Sequence, residues 1–516
     1  MSIFSGRRKY VATLLFLVPL LAATGFGIWT LRQTQQAHAQ STLSVIQNVS
    51  SDQYTNSTSQ HQTQVEPDTF SFGSTVVSAF QSGRFDLGGG ASGIDWVTSF
   101  NSGLTWKGGT LPGITIYNGG SYARVSDSAV AYDAAHHTWL ISALAAQTTF
   151  DGVNGSTAVV VSRSSDALHW STPIVVSASG ASNNFDKDWI VCDEHSASPF
   201  YGRCYEEWDD SSNHGRILMN YSNDGGLSWS TPQSPATQSF SALGGQPLVQ
   251  PGGNVIVPIY GYDLTTGAES IYSYRSTNGG ASWTDEVKIS PSTYSFASAF
   301  YRGGSLPSAE IDKAGKVYLT WAGCYFEPNC PTDDLVLTTT TDGLTWTPLQ
   351  RIPLDPIGSG VEHITGAIAV DSTTSGSSAH LAVTYYYWPN AGCTSSSCQI
   401  YVGVASSTNG GATWSKPETV SKAMHATWWA NTDQGYMTGD YISISITCNQ
   451  AVTVVPIAAA PNGQAFNQYM EGVSVTVTGG SLAGETLNSS AMTPHTSQAA
   501  QGSKNYHTAN SSGCQA

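Results

Sequence analysis

Apolar residues recur in short β-rich runs separated by clusters of Gly, Asn, Asp and Ser. One interval shows the pattern: SAVAYD (128–133), TWLISAL (138–144), AVVVSRS (158–164) and TPIVV (172–176) read as four successive strands. The intervals that follow divide alike. Further first strands are expected at WIVCD (189–193), PLVQP (247–251), PSAEID (307–312), ITGAIAVD (364–371) and YISISIT (441–447), and VEPDTF (65–70) precedes them all. With the 128–133 run these make seven sets. The last set has three strands, and TLSVIQNV (42–49) is expected to supply its missing outer strand.

Six short segments punctuate the runs: NSGLTW ending at Trp106, SDALHW at Trp170, NDGGLSW at Trp229, TNGGASW at Trp283, TDGLTW at Trp346 and TNGGATW at Trp414. The Trp residues are 64, 59, 54, 63 and 68 positions apart, a period that suits one four-stranded unit with its loops. Asp or Asn before Gly supplies the backbone angles of a tight turn, and the closing Trp is an apolar plate expected to be buried between neighbouring sheets.

The segments resemble the Asp-box (BNR) repeat of the sialidase superfamily, roughly Ser-x-Asp-x-Gly-x-Thr-Trp. Asp224 holds the Asp position five before its Trp, Asn101, Asn278 and Asn409 replace it in three copies, and Asp166 and Asp342 stand in shortened ones. The resemblance implies an all-β Asp-box β-propeller. Counting first strands gives seven blades, with the six-bladed sialidase form as the alternative. It also implies that the boxes serve folding, on the face away from any active site.

Length and charge narrow the class. The repeats argue that residues 40–481 of the 516 form one propeller domain, followed by a mostly irregular tail at 482–516. Residues 1–39 carry Arg7, Arg8 and Lys9, an apolar run over 10–29 and a small-x-small site at Ala37-His38-Ala39, and so read as a signal peptide or an N-terminal membrane anchor. Their removal takes away four positive charges and no acid, moving the net charge from −16 to −20, which disfavours nucleic acid as a partner. Eight cysteines fit an extracytoplasmic protein, secreted or held at the cell surface. Pairing is expected between Cys192 and Cys204, Cys324 and Cys330, Cys393 and Cys398, and Cys448 and Cys514. No metal or other cofactor is expected, because no CxxC occurs.

If the boxes mark one face, the opposite face carries the loops that enter the first strands. A sialidase-like site would hold a sugar carboxylate on arginines and use a Tyr nucleophile with a Glu partner and an Asp acid. On these loops the resemblance implies Asp127, Glu362 and Tyr441 as catalytic residues and Arg84, Arg124, Asp186, Arg302 and Asp440 as substrate-binding residues. Glu66, Tyr301 and Asp86 are the alternates. Asp186-Lys187-Asp188 reads as ion pairs joining adjacent blades, Trp428, Trp429 and Tyr436 as a surface on which a sugar could stack, and Arg351-Ile352-Pro353 as a chance match to a sialidase motif that belongs before the first box. The expected function is an exported sialidase-like glycoside hydrolase acting on a glycan or glycoconjugate at a propeller-face pocket, as a monomer. A non-catalytic carbohydrate-binding or cell-surface interaction propeller is the alternative.

Overall fold

The computed structural model describes residues 44–150, 156–180, 184–295, 300–302, 306–432 and 434–487. The expected leader or anchor and most of the tail therefore lie outside the described residues. No helix among the described residues is long and apolar enough to cross a membrane.

The described chain is all-β and mostly antiparallel, with helical segments limited to short 3-10 turns. Alternation along a strand feeds two cores at once. In Thr138–Ala146, Ile141, Ala143 and Ala145 pack with Phe70, Val77 and Ile94, while Leu140 and Leu144 pack with Ile190, Cys192 and Trp208. Both faces of such a strand are covered, which is why all nine of its residues are buried.

The pairing corrects the expected architecture. Val65–Phe72, Thr75–Arg84 and Ala91–Ser99 do not form a separate blade. The bridge between Ala91 and Val125 joins them to Arg124–Asp133, Thr138–Ala146, Thr157–Ser164 and Ile174–Ala178 in one eight-stranded sheet that includes Lys107–Thr110. Three-, four- and five-stranded sheets and a two-stranded hairpin follow, and no sheet among the described residues closes on itself. Neither the closed seven-bladed propeller nor its six-bladed alternative is therefore the fold. The repeat period specifies hairpins and their turns. It does not specify how one set of hairpins meets the next, and there the expectation failed.

The N-terminal strand does pair as its sequence suggests: Val45–Asn48 runs antiparallel to Gln468–Thr476 and covers the outer edge of the sheet that ends in Ser443–Thr447. The six turn segments share one hydrogen-bond scheme. The Asx side chain accepts a backbone N–H three or four residues on, as Asn101 does from Thr105 (2.9 Å), Asp224 from Ser228 (2.9 Å) and Asp342 from Thr345 (2.8 Å). In the five segments that contain glycine, a hydroxyl two residues before the Asx, such as Ser222 Oγ, accepts from a glycine N–H, here Gly226 (2.9 Å).

The tryptophans are less uniform than expected. Only Trp414 is fully buried, and the other five are partly buried. Trp414 donates through Nε1 to Gly411 O (3.1 Å) within a core of Leu337, Leu381 and Ala405. Disulfides join Cys192 to Cys204, Cys324 to Cys330 and Cys393 to Cys398, bonds that fit an extracytoplasmic protein. Cys448 is also disulfide-bonded, and its expected partner Cys514 lies outside the described residues.

Trp414→Ala is expected to cost about 3–5 kcal/mol, as removal of a buried indole does. The same change at partly buried Trp229 should cost less. Equilibrium denaturation of both variants checks the ranking, and equal losses would contradict it.

Candidate functional site

Four first strands begin with a β-bulge: the register shifts between Val65 and Asp68, Ser126 and Ala129, Asp186 and Asp188, and Ile364 and Ala367. Three of these bulges hold a non-glycine residue at positive φ, namely Glu66 (57°), Asp127 (49°) and Thr365 (48°). Each such residue costs of order 1–3 kcal/mol, and strain of this kind collects where side chains are re-aimed.

Three of the four bulges, those at Glu66, Asp127 and Asp186, contribute to the wall of a cavity of about 190 Å³. Its walls carry Glu66, Arg84, Asp127, Asp186, Arg302 and Asp440, with Gln81, Ser126, Phe150, Gln434 and Met437 around them and Gly88-Gly89-Gly90 on one side. Glu66 accepts from Gln81 Nε2 and from the Asp440 backbone N–H (2.9 Å), and Arg302 is ion-paired to Asp440. Arg84 is 3% exposed, and its Nε and Nη1 have no hydrogen-bond partner. Burial, reinforced by Asp440 and Asp127, pushes the Glu66 carboxyl up to about 8. Burial beside Asp127 pushes Asp186 up to about 6. Near neutral pH the cavity thus presents guanidinium groups beside a Glu66 carboxyl that has kept its proton and an Asp440 already paired with Arg302.

Five of the eight expected residues line this cavity: Arg84, Asp127, Asp186, Arg302 and Asp440. Arg124 stands behind it, donating through Nη1 to Leu87 O (2.5 Å) and Gly89 O (2.7 Å) with its guanidinium over the Phe85 ring, and so fixes the glycine loop. Gly90 permits this fold, since a Cβ there would meet the Phe150 ring at 2.7 Å.

Tyr441 is fully buried, donates to Ser128 O (3.3 Å) and has the Lys187 ammonium over its ring at 4.2 Å. Burial raises its hydroxyl well above the usual tyrosine range. Glu362 lies in a different cluster, accepting from Ser295 Oγ (3.0 Å) and from the Asp333 N–H (3.0 Å). Sequence reading passed over Gln81 and Phe150, for which it held no signal, and Gly88-Gly89-Gly90, whose triple glycine was visible.

Buried acids form a second group on the strands Phe185–Cys192 and Cys204–Asp210. Asp188 and Glu206 share one face of the sheet, and Glu207 and Asp209 lie on the other. Lys187 stands among Asp68, Asp188, Glu207 and Asp209. Asp188 and Glu206 lie side by side near Ser142, and both carboxylate oxygens of Glu207 are buried without a hydrogen-bond partner. Burial raises all of these acids, Asp68 and Asp188 to about 7.

No family model matches the chain, and no curated protein matches it. Among solved structures, a protein of unknown function from Dyadobacter fermentans is 11% identical, covering 69% of this chain and 95% of its own, with a TM-score of 0.42. An α-L-arabinofuranosidase of Fusarium graminearum is 11% identical over 70% of this chain and 97% of its own (TM-score 0.44). The intramolecular trans-sialidase from Ruminococcus gnavus is 13% identical over 82% and 96% (TM-score 0.41). Likenesses this remote assign neither fold nor activity. The open sheets correct the sialidase-superfamily reading: the turn segments recur, but membership, a propeller-face pocket and glycoside hydrolysis do not follow from them.

The buried acids set the pH dependence of stability. A carboxyl that titrates near 4 when unfolded and near 7 when folded stabilises the fold fully below about pH 4, and that contribution is lost as pH rises through about 7. The melting temperature is therefore expected to fall between pH 4 and pH 8. Asp188→Asn, which mimics the protonated acid, should flatten this fall while leaving the pH 4 value nearly unchanged. A melting temperature that rises over this range would contradict the assignment.

Proposed function

We propose that the cavity binds an anionic, hydroxyl-rich ligand, a sugar residue bearing a carboxylate being the chemical class that fits it. The supporting observation is Arg84, which lines the cavity and whose buried Nε and Nη1 have no hydrogen-bond partner. Leaving such donors unpaired is costly, and a carboxylate satisfies them with paired charge-assisted bonds. Asp127, Asp186 and Gln81 supply acceptors and donors for ring hydroxyls, and Phe150 gives an apolar edge. Arg302 is already paired with Asp440, so it shapes the site and leaves anion capture to Arg84. The reading concerns binding and assigns no bond cleavage.

Calorimetric titration with uronic acid oligomers and their neutral counterparts tests this. Binding is expected for the acidic sugars alone. Arg84→Lys keeps the charge but loses the fork, and should weaken affinity roughly tenfold to a hundredfold, the worth of about 1.5–3 kcal/mol of charge-assisted hydrogen bonding. Affinity should also fall as pH rises through about 6 and then about 8, where Asp186 and Glu66 lose their protons and repel the anion. Equal binding of neutral sugars, or affinity that strengthens with pH, would overturn the reading.

A further inference from the structure

Arg351, met in the sequence as part of a chance Arg-Ile-Pro match, is buried in a polar cluster none of whose residues lines the cavity. Its Nη2 donates to Asp334 Oδ1 (2.6 Å) and to Asp355 Oδ1 (2.7 Å), and its Nη1 to Asp355 O (2.6 Å). Around this one cation stand Asp334, Asp355, Glu327 and Glu485, so the cluster keeps excess negative charge. Asp334 Oδ2 is buried with no hydrogen-bond partner.

His363 faces the same point. It is 2% exposed, and its Nδ1 lies 2.9 Å from Asp333 O. A carbonyl only accepts, so Nδ1 carries the proton and Nε2 presents its lone pair. Nε2 lies 3.9 Å from Asp355 Oδ1. The gap is too long for a hydrogen bond. It suits two ligand atoms on one ion, which at bond lengths of about 2.0–2.1 Å lie no more than about 4.2 Å apart. Ligand atoms of Asp334, Asp355 and His363 all lie within 4.8 Å of one another, so the widest pair needs to close by about half an ångström. A histidine whose other ring nitrogen is tied to a backbone carbonyl is also oriented as metal-bound histidines are.

We propose that His363 Nε2, Asp355 and Asp334 form a site for a divalent cation of the zinc class, in place of the expectation that no metal is bound. One imidazole nitrogen and two carboxylates suit a borderline ion better than calcium or magnesium, which take all-oxygen sets. Arg351 does not pre-empt the ion. It hydrogen-bonds Oδ1 of each carboxylate, and Ser359 Oγ bonds Asp355 Oδ2, so the ion would take Asp334 Oδ2 and the remaining lone pair of Asp355 Oδ1 while the guanidinium offsets part of the charge that remains. The ion would tie the segment carrying Asp355 to the strand Asp334–Thr340. Its way in is at Asp355, the most exposed of the three, whose side chain is 12% exposed.

The test uses the chelator-treated protein without an affinity tag. Zinc is titrated calorimetrically, metal content is measured after dialysis, and thermal unfolding is recorded with and without zinc. Wild type is expected to take up one zinc per chain and to melt at higher temperature with it. Asp355→Asn and His363→Gln should each weaken uptake by at least about tenfold, while His169→Ala, at an exposed surface histidine, leaves it unchanged. If His363→Gln does not fold, Asp355→Asn decides the question. No zinc uptake by wild type would overturn the proposal and leave a salt-bridge cluster built on Arg351. Uptake that survives Asp355→Asn, or that His169→Ala abolishes, would overturn it equally by placing the ion elsewhere.

Discussion

A carboxyl group buried without a counterion keeps its proton, because the interior disfavours the charge far more than water does. That constraint governs the middle of this protein. Asp68, Asp188, Glu206, Glu207 and Asp209 are all fully buried, and Lys187 is the buried cation among them. The ammonium is held between the rings of Trp189 (5.0 Å) and Tyr441 (4.2 Å), where it offsets some of the negative charge without satisfying every acid. The remaining acids are neutral over much of the pH range.

The cavity inherits the same chemistry. Glu66 and Asp127 reach it through backbone bulges at positive φ, and the proximity of Asp127 and Asp440 raises Glu66 further. With Glu66 protonated and Asp440 paired to Arg302, the Arg84 guanidinium keeps nitrogens without a partner. The reach of Arg84 therefore depends on protons held around it, and so does the preference for an anion.

The repeating features of the chain were legible because they are local. Asn or Asp before Gly makes the turns, alternation makes the strands, and near neighbours such as Cys192 and Cys204 pair. Val45–Asn48 was found as an edge strand because the last sheet lacked one. What sequence reading missed depends on register and on long-range meeting. A bulge at Ser126 and Ala129 leaves no mark in composition, yet it decides where Asp127 points. Tyr441 reads as a loop residue but packs under Lys187, and the bridge from Ala91 to Val125 merges two strand sets that their spacing separates. His363 and Asp355 are ordinary loop and strand residues until the fold sets them 3.9 Å apart.

The central claim is that the folded protein holds buried carboxyl groups in their protonated form near neutral pH. Infrared spectra of the C=O stretch, recorded at pH 6 for the native and the denatured protein, measure this directly. The account predicts a protonated-carboxyl band in the native spectrum that disappears on unfolding and shrinks in Asp188→Asn. A native spectrum showing only ionised carboxylates at that pH would contradict it.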